Sequence, residues 1–449
     1  MRAAILILAC GGCLSTPPFS PPGDGSSDAS TDDASSSGED ARPADDASAA
    51  PDGSCALEPG RGGDPPAWPP DGVAVSVRQV EVHRLDCDAA DDLLIASDPA
   101  VAEDRGFYVM RGRGRPDHGN VFDGFVSTGP APPNRLAVAQ VGGSEQPEIL
   151  MATLVGDELQ LWVYPAVDAT TYGEPYTRIV GETPATSVNP FLVAVGDFDG
   201  DEEADFLVGD MTQLWTGELV RDGGSWTTGE LVGLEGPSAG LWDDASIALT
   251  VPSADAPGLD DIVVTRFFGA TLLRNDGRGG FPIEGYASAG GESATSTTLW
   301  DFDGDGVEEV VATQVGDPVY LLVPREGRVL TLGATGPSDL EPYLEDFQIG
   351  DLGGSTDRPD LVWSDARSGT DVIYLLADLE LQGGTEFTTQ KTLKRWDHPA
   401  GSNAGRVVMG DFDGDGTREL LSFDGVTGET TCLRYDDRAG QEGLVPCDG

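Results

Sequence analysis

The chain has 449 residues, a formal net charge of −52, 61 glycines and 32 prolines. That much negative charge argues against nucleic acid and anionic membrane surfaces as partners drawn in by long-range attraction. No stretch reaches the roughly 18 apolar residues a membrane span needs, and the glycine and proline content favours many short strands and turns over long helices.

The first 13 residues, Met1-Arg-Ala-Ala-Ile-Leu-Ile-Leu-Ala-Cys10-Gly-Gly-Cys13, join one basic residue to a short apolar core and a small residue before a cysteine. This resembles a bacterial lipoprotein signal, which implies lipidation of Cys10 and an exported, membrane-anchored protein in the periplasm or at the cell surface. Cys13 is the competing site, and an ordinary secretory signal is the other reading. Residues 14–75 carry 12 Asp/Glu against 2 Arg and are rich in Ser, Ala, Asp, Gly and Pro. Such a segment cannot bury enough apolar area to offset its ordering entropy, so a disordered, extended acidic tether is expected.

Beyond residue 76 three loops are near copies: Asp197-Phe-Asp-Gly-Asp-Glu-Glu-Ala-Asp205, Asp301-Phe-Asp-Gly-Asp-Gly-Val-Glu-Glu309 and Asp411-Phe-Asp-Gly-Asp-Gly-Thr-Arg-Glu419. Oxygens at positions 1, 3, 5 and 9, with a glycine for the bend, suit a hard cation such as Ca²⁺. An apolar run stands on each side, as in FLVAVG before and FLVG after the first. Weaker copies start at Asp86, Gln140, Ser253 and Asp351, each closed by an acid and followed by an apolar run. The seven loop starts lie 48 to 60 residues apart, and each unit reads as four short strands, as in AGRVVMG, RELLSFD, ETTCLRYD and EGLVPC at the end of the chain. A period near 50 with several strands per unit predicts an all-β protein, a seven-bladed β-propeller of four-stranded antiparallel blades over residues 76–449. An EF-hand uses similar Asp spacing but needs flanking helices and a glutamate at position 12.

These loops and their spacing resemble the FG-GAP/VCBS repeat family, the repeat of the integrin α-subunit propeller and of many bacterial surface proteins. The resemblance implies Ca²⁺ in about three structural sites between the first two strands of a blade. Carried onto this chain, the side-chain ligands are Asp197, Asp199, Asp201 and Asp205; Asp301, Asp303, Asp305 and Glu309; and Asp411, Asp413, Asp415 and Glu419. The carbonyls of Glu203, Val307 and Thr417 add one ligand each. Glu at position 9 of the second and third loops departs from the family's Asp.

The chemistry that would mark an enzyme is sparse. Histidines are His83, His118 and His398 alone, and no Gly-x-Ser-x-Gly, His-Glu-x-x-His, P-loop or dinucleotide fingerprint is present. The Arg111–His118 segment, Arg-Gly-Arg-Gly-Arg-Pro-Asp-His, reads as a solvated basic turn or a patch for an anionic ligand. The expected role is a calcium-stabilised cell-surface binding or adhesion module, a monomer that recognises protein or glycan on the face opposite the calcium loops. Arg266-Phe267-Phe268, Trp242, Tyr343 and Asp397-His398 are the residues expected on that face. A lectin, or a carbohydrate-active lyase or hydrolase on the same scaffold, is the alternative.

Cys432 and Cys447 flank the turn at Asp436–Glu442 and are expected to face each other across a hairpin, close enough for a disulfide. Cys55 pairs with Cys87 or with Cys447. The lipid-anchor reading makes a direct prediction. Replacing Cys10 by Ala should release the protein from the membrane fraction, whereas replacing Cys13 should not.

Overall fold

The apolar runs on either side of each acidic loop form the first and second strands of successive antiparallel sheets. In the computed structural model the described residues lie between Val77 and Cys447 and comprise the strands and most of the short turns. Residues 1–76 and several internal stretches, among them 86–89, 113–120, 302–308 and 332–343, lie outside them. Cys10, Cys13, Cys55, Cys87, the tether, Trp242, Phe267, Phe268, Tyr343 and His398 are therefore not among the described residues.

The described residues are strand and turn throughout, without helix. They form seven sheets of four or five strands and two separate two-stranded ribbons. In each larger sheet the strands pair antiparallel with their neighbours in chain order. The third sheet, for example, runs Leu192–Gly196, Asp205–Gly209, Leu214–Asp222 and Ser225–Thr228. The seventh runs Ala404–Gly410, Glu419–Asp424, Thr430–Asp436 and Gly443–Pro446, close to the four runs read from the sequence. In the third sheet the outer edge is split. Leu214–Asp222 is long enough to pair with Ser225–Thr228 along one half and with Val232–Leu234 along the other. In the second and sixth sheets a ribbon, Ala166–Asp168 with Thr171–Tyr172 and Glu380–Gln382 with Glu386–Thr388, is inserted between the third and fourth strands.

Second strands such as Asp92–Ser97 and Glu148–Val155 are apolar on both faces because their sheets are covered on both sides. Successive side chains point to opposite faces, so odd and even positions serve different neighbours. In Asp92–Ser97, Leu93 and Ile95 pack with Val408, Phe412, Leu421 and Phe423 of the seventh sheet, while Leu94 and Ala96 pack with Ile149 and Met151 of the second. In Glu148–Val155, Leu150 and Ala152 turn the other way and meet Val193, Phe206 and Val208 of the third sheet. Leu207 then continues to Ile262 and Val264 of the fourth. The sixth and seventh sheets share Val362, Ile373, Leu375, Val407, Met409 and Leu420. Each fully buried Leu, Ile, Val, Phe or Met in these layers contributes about 1.5–3 kcal/mol.

The last hairpin is cross-linked. Leu433 pairs with Pro446, which places Cys432 opposite Cys447, and a disulfide joins them with Cα atoms 5.5 Å apart. The bond closes a loop with a sequence separation of 15 residues, for which chain-entropy reasoning gives about 3 kcal/mol. Replacing both cysteines by serine should lower thermal stability by a few degrees without loss of β-structure. Melting followed by circular dichroism checks this, and a reductant should reproduce the shift in the wild type.

Candidate metal centres

Each loop spans the end of a first strand and the start of a second, and the backbone register sets its width. Gly196 pairs with Asp205, Gly350 with Asp360, Gly410 with Glu419 and His83 with Asp92. The acid that closes the loop is thus the first residue of the second strand, and it is carried into the protein with that strand. Asp92, Glu148, Asp205, Asp360 and Glu419 are all buried.

A buried carboxylate needs donors, and the first comes from the loop itself. The N–H of loop position 2 donates to the closing acid in four loops: Leu85 to Asp92 (2.7 Å), Phe198 to Asp205 (2.8 Å), Leu352 to Asp360 (3.0 Å) and Phe412 to Glu419 (3.0 Å). The first loop therefore begins at Arg84 and not at Asp86, and it has the full nine residues of the strong loops, because the register pairs His83 with Asp92. The other carboxylate oxygen divides the loops into two kinds. In three of the four weak loops an oxygen of the closing acid is taken by an N–H just past the third strand of the same sheet. Gly112 donates to Asp92 (3.0 Å), Asn275 to Asp261 (2.8 Å) and Asp378 to Asp360 (3.0 Å). At Asp92 the Arg111 guanidinium adds an ion pair at 3.3 Å, with both side chains almost wholly buried. Arg111 is therefore not part of a solvated turn, as the basic segment suggested, but an internal counter-charge for the first loop.

In the two described strong loops the closing acid is grouped with other acids. Asp197, Asp199 and Asp205 offer oxygens that lie within 4.8 Å of one another, and so do Asp411, Asp413 and Glu419. Either cluster could bind a metal ion. The loop backbone prepares them. Gly200 N–H donates to Asp197 Oδ1 (2.7 Å), Asp201 N–H to Asp199 Oδ1 (3.2 Å) and Glu203 N–H to Asp201 Oδ1 (2.8 Å). The last loop repeats this with Asp415 N–H to Asp413 Oδ1 (3.0 Å), Thr417 N–H to Asp415 Oδ1 (2.7 Å) and Gly416 N–H to Asp411 Oδ2 (2.9 Å). Gly200, Gly414 and Gly416 hold φ of 86°, 73° and 88°, a region that L-residues with a side chain adopt at a cost. The remaining oxygen of Asp411, Oδ1, is shielded from solvent and has no hydrogen-bond partner. An acceptor left in that state costs free energy, and a cation between Asp411, Asp413 and Glu419 would satisfy it. The residues of this loop fit Ca²⁺.

Position 5 behaves differently from positions 1, 3 and 9. Asp201 lies with the carboxylates of Glu203 and Glu218, again within 4.8 Å. Glu218 stands directly across the ladder from Asp205 on the third strand. Nothing in the loop motif pointed to it, and only the strand register brings it there. In the middle strong loop Asp301 and the backbone of Glu309 are described, the latter as the start of Glu309–Gln314, whereas Asp303, Asp305 and Val307 lie outside the described residues.

Burial and neighbouring acids act together on the closing carboxyls. Desolvation, helped by Asp413, pushes Glu419 up from 4.5 to about 8. Desolvation also raises Asp205 from 3.8 to about 7, against the opposing bond from Phe198 N–H.

No protein-family model matches the chain, and a comparison with curated proteins finds no match. Solved structures do resemble it. A lectin from Agrocybe aegerita that recognises non-reducing terminal N-acetylglucosamine superposes with a TM-score of 0.53 at 18% identity, over 82% of this chain and 94% of the lectin. BBS1N gives 0.47 at 14% identity over 83% and 95%, and the rhamnogalacturonan lyase YesW gives 0.44 at 12% identity over 78% and 70%. At these identities the likeness is one of fold. It is a β-propeller-like, all-β fold.

The raised carboxyls set a pH dependence with a definite sign. A folded-state pKa above the unfolded value contributes stability that is complete below the unfolded value and lost as pH rises through the folded one. The metal-free protein should therefore lose stability between the ordinary carboxylate range and pH 7 to 8, the window of Asp205 and Glu419. Saturating calcium should flatten this slope, because the ion favours the ionised form. Melting temperatures across pH, in chelator and in calcium, measure both.

Proposed function

We propose that the chain is a calcium-stabilised β-propeller of seven blades that acts at the cell surface as a binding module for protein or glycan. The observation that carries the calcium assignment is the division of the closing acids. Asp92, Asp261 and Asp360 spend their second oxygen on a protein N–H, whereas Asp205 and Glu419 stand in clusters of three acids. Seven sheets of four or five strands agree with seven acid-closed loops, and the apolar layer between the seventh and first sheets supports a closed ring.

The cation has a structural role in this reading. Three carboxylates in one short loop repel at neutral pH, and a divalent ion turns that repulsion into attraction. The ligands are Asp197, Asp199 and Asp205 and their counterparts in the loops at 301 and 411. The disulfide fits an exported protein, and the N-terminal cysteine supplies the anchor. Glycan or protein binds on the face away from the acid loops. Glycan recognition is a role that this kind of fold performs in the lectin, and the sugar recognised there is not carried over.

Ions that bind the folded form alone stabilise it by about 2.7 kcal/mol each at a hundredfold excess over Kd. Calorimetric titration should find about three calcium equivalents, and Asp301→Ala or Asp411→Ala should each remove about one. Asp86→Ala should remove none, because Arg84 stands where the strong loops have their first Asp and the closing Asp92 already accepts from Gly112 and pairs with Arg111. No binding to the wild type, or equal losses from Asp86→Ala and Asp411→Ala, would make the loops metal-free acidic turns. A glycan array probed with and without calcium then decides between glycan and protein as the ligand class.

A further inference from the structure

The first residue of each described strong loop is held by a carboxylate from the next sheet. Asp197 N–H donates to Asp260 Oδ2 (2.9 Å), and Asp260 N–H donates back to the Asp197 carbonyl (2.8 Å). Asp411 and Asp91 repeat both bonds, each at 2.8 Å, although they are 320 residues apart. One peptide unit on each side of the leading ligand is thereby fixed by the neighbouring sheet. Asp91 and Asp260 stand immediately before the closing acids Asp92 and Asp261, inside loops that are themselves closed by protein donors.

The glycine before each of these two loops lies too close to its neighbours to carry a side chain. A Cβ on Gly196 would come within 2.7 Å of Asp260 Oδ2, and one on Gly410 within 3.0 Å of Val82 in the first sheet. The position before the closing acid reads Asp91, Pro147, Ala204, Asp260, Glu308, Pro359 and Arg418 along the chain. Aspartate occurs there twice, in the sheets that follow the loops at 411 and 197. The sheet after the loop at 301 has Pro359, which can accept no such bond, so that loop serves as an internal control.

We propose that Asp260 and Asp91 are positioning residues for the cation sites of the preceding sheet, and that through them each bound ion tightens the joint to the following sheet. At Asp411 that joint lies between the last and first sheets, the two ends of the chain. The aspartates touch no ion. They hold the backbone of a ligand at the angle the ion requires, and supporting contacts of this kind typically change metal affinity about 10- to 100-fold. The coupling runs one way around the fold, from a loop to the sheet after it, because the reciprocal bonds are made on that side.

The inference rests on the calcium reading above, and the test separates the two. Calcium affinity of the full chain is measured by competition with a chromophoric chelator for the wild type, Asp260→Ala, Asp260→Asn, Asp91→Ala and Asp91→Asn. Each Ala variant should weaken one site about tenfold with the number of sites unchanged. Each Asn variant keeps an oxygen to accept the N–H and should stay within about threefold of the wild type. Hydrogen exchange gives a readout that needs no variant at these positions. Asp199→Ala, which empties the 197 loop, should speed exchange in Asp260–Arg266 and leave Glu148–Val155 unchanged in calcium. Wild-type protein that binds no calcium overturns the calcium reading and this inference together. Wild-type binding with unchanged affinity in both Ala variants overturns the positioning role alone. Asn variants as weak as Ala would mean that the charge acts and not the hydrogen bond. Equal loosening of the sheets on both sides in Asp199→Ala would remove the directionality.

Discussion

The constraint on which the loops depend is the limited acceptor capacity of one buried carboxylate. The acid that opens each second strand cannot be moved to solvent, because the register ties it to the last residue of the first strand. In four of the loops one oxygen is engaged by the loop's own second N–H. What becomes of the other determines the chemistry of the loop. A donor from beyond the third strand gives a turn in which the protein itself satisfies the closing acid. A neighbouring pair of acids gives a cluster that is repulsive until a cation or a proton enters. This accounts for the raised carboxyls at Asp205 and Glu419, where desolvation and like charge act in the same direction.

The strands serve the same constraint from the other side. Second strands are covered on both faces, so their first residue lies at the mouth of a packed layer and not at an exposed edge. In the first sheet the chain supplies an internal cation. Arg111 sits at the end of a third strand with its guanidinium against Asp92, both buried. An ion pair of this kind is expensive to break, because removing one partner leaves an uncompensated charge inside.

Much of this was legible in the sequence. The Asp-Phe-Asp-Gly-Asp signature, the closing acid and the apolar runs were each visible, because they are local and recur at a near-constant period. The four strands of the last unit were readable for the same reason, and the pairing of Cys432 with Cys447 followed from hairpin symmetry. The misses have one physical origin. Glu218, Asp91, Asp260 and Arg111 act through register or through the neighbouring sheet, and a pattern read along one loop carries no information about what stands across from it. A trace did exist in the doubled acids Asp91-Asp92 and Asp260-Asp261, where one acid of each pair is more than the loop pattern calls for. The split outer edge of the third sheet was hidden because Leu214–Asp222 is long enough for two partners, which composition does not reveal.

The two kinds of loop also differ in what a change of sequence can do to them. Adding acids to the 351–360 loop would bring it closer to the strong pattern without producing the same site. Asp360 already accepts from Leu352 and from Asp378, and the second of these donors belongs to a residue held at a φ of 54° beyond the third strand. A cation there would have to displace a main-chain donor and leave it unsatisfied, at a cost of about 1–3 kcal/mol. In the 411 loop the oxygen without a donor is on the leading acid, Asp411 Oδ1, and a cation there would displace no hydrogen bond from that atom. On the calcium reading, what separates the 411 loop from the 351–360 loop is therefore less the number of carboxylates than whether an acid oxygen is left without a protein donor.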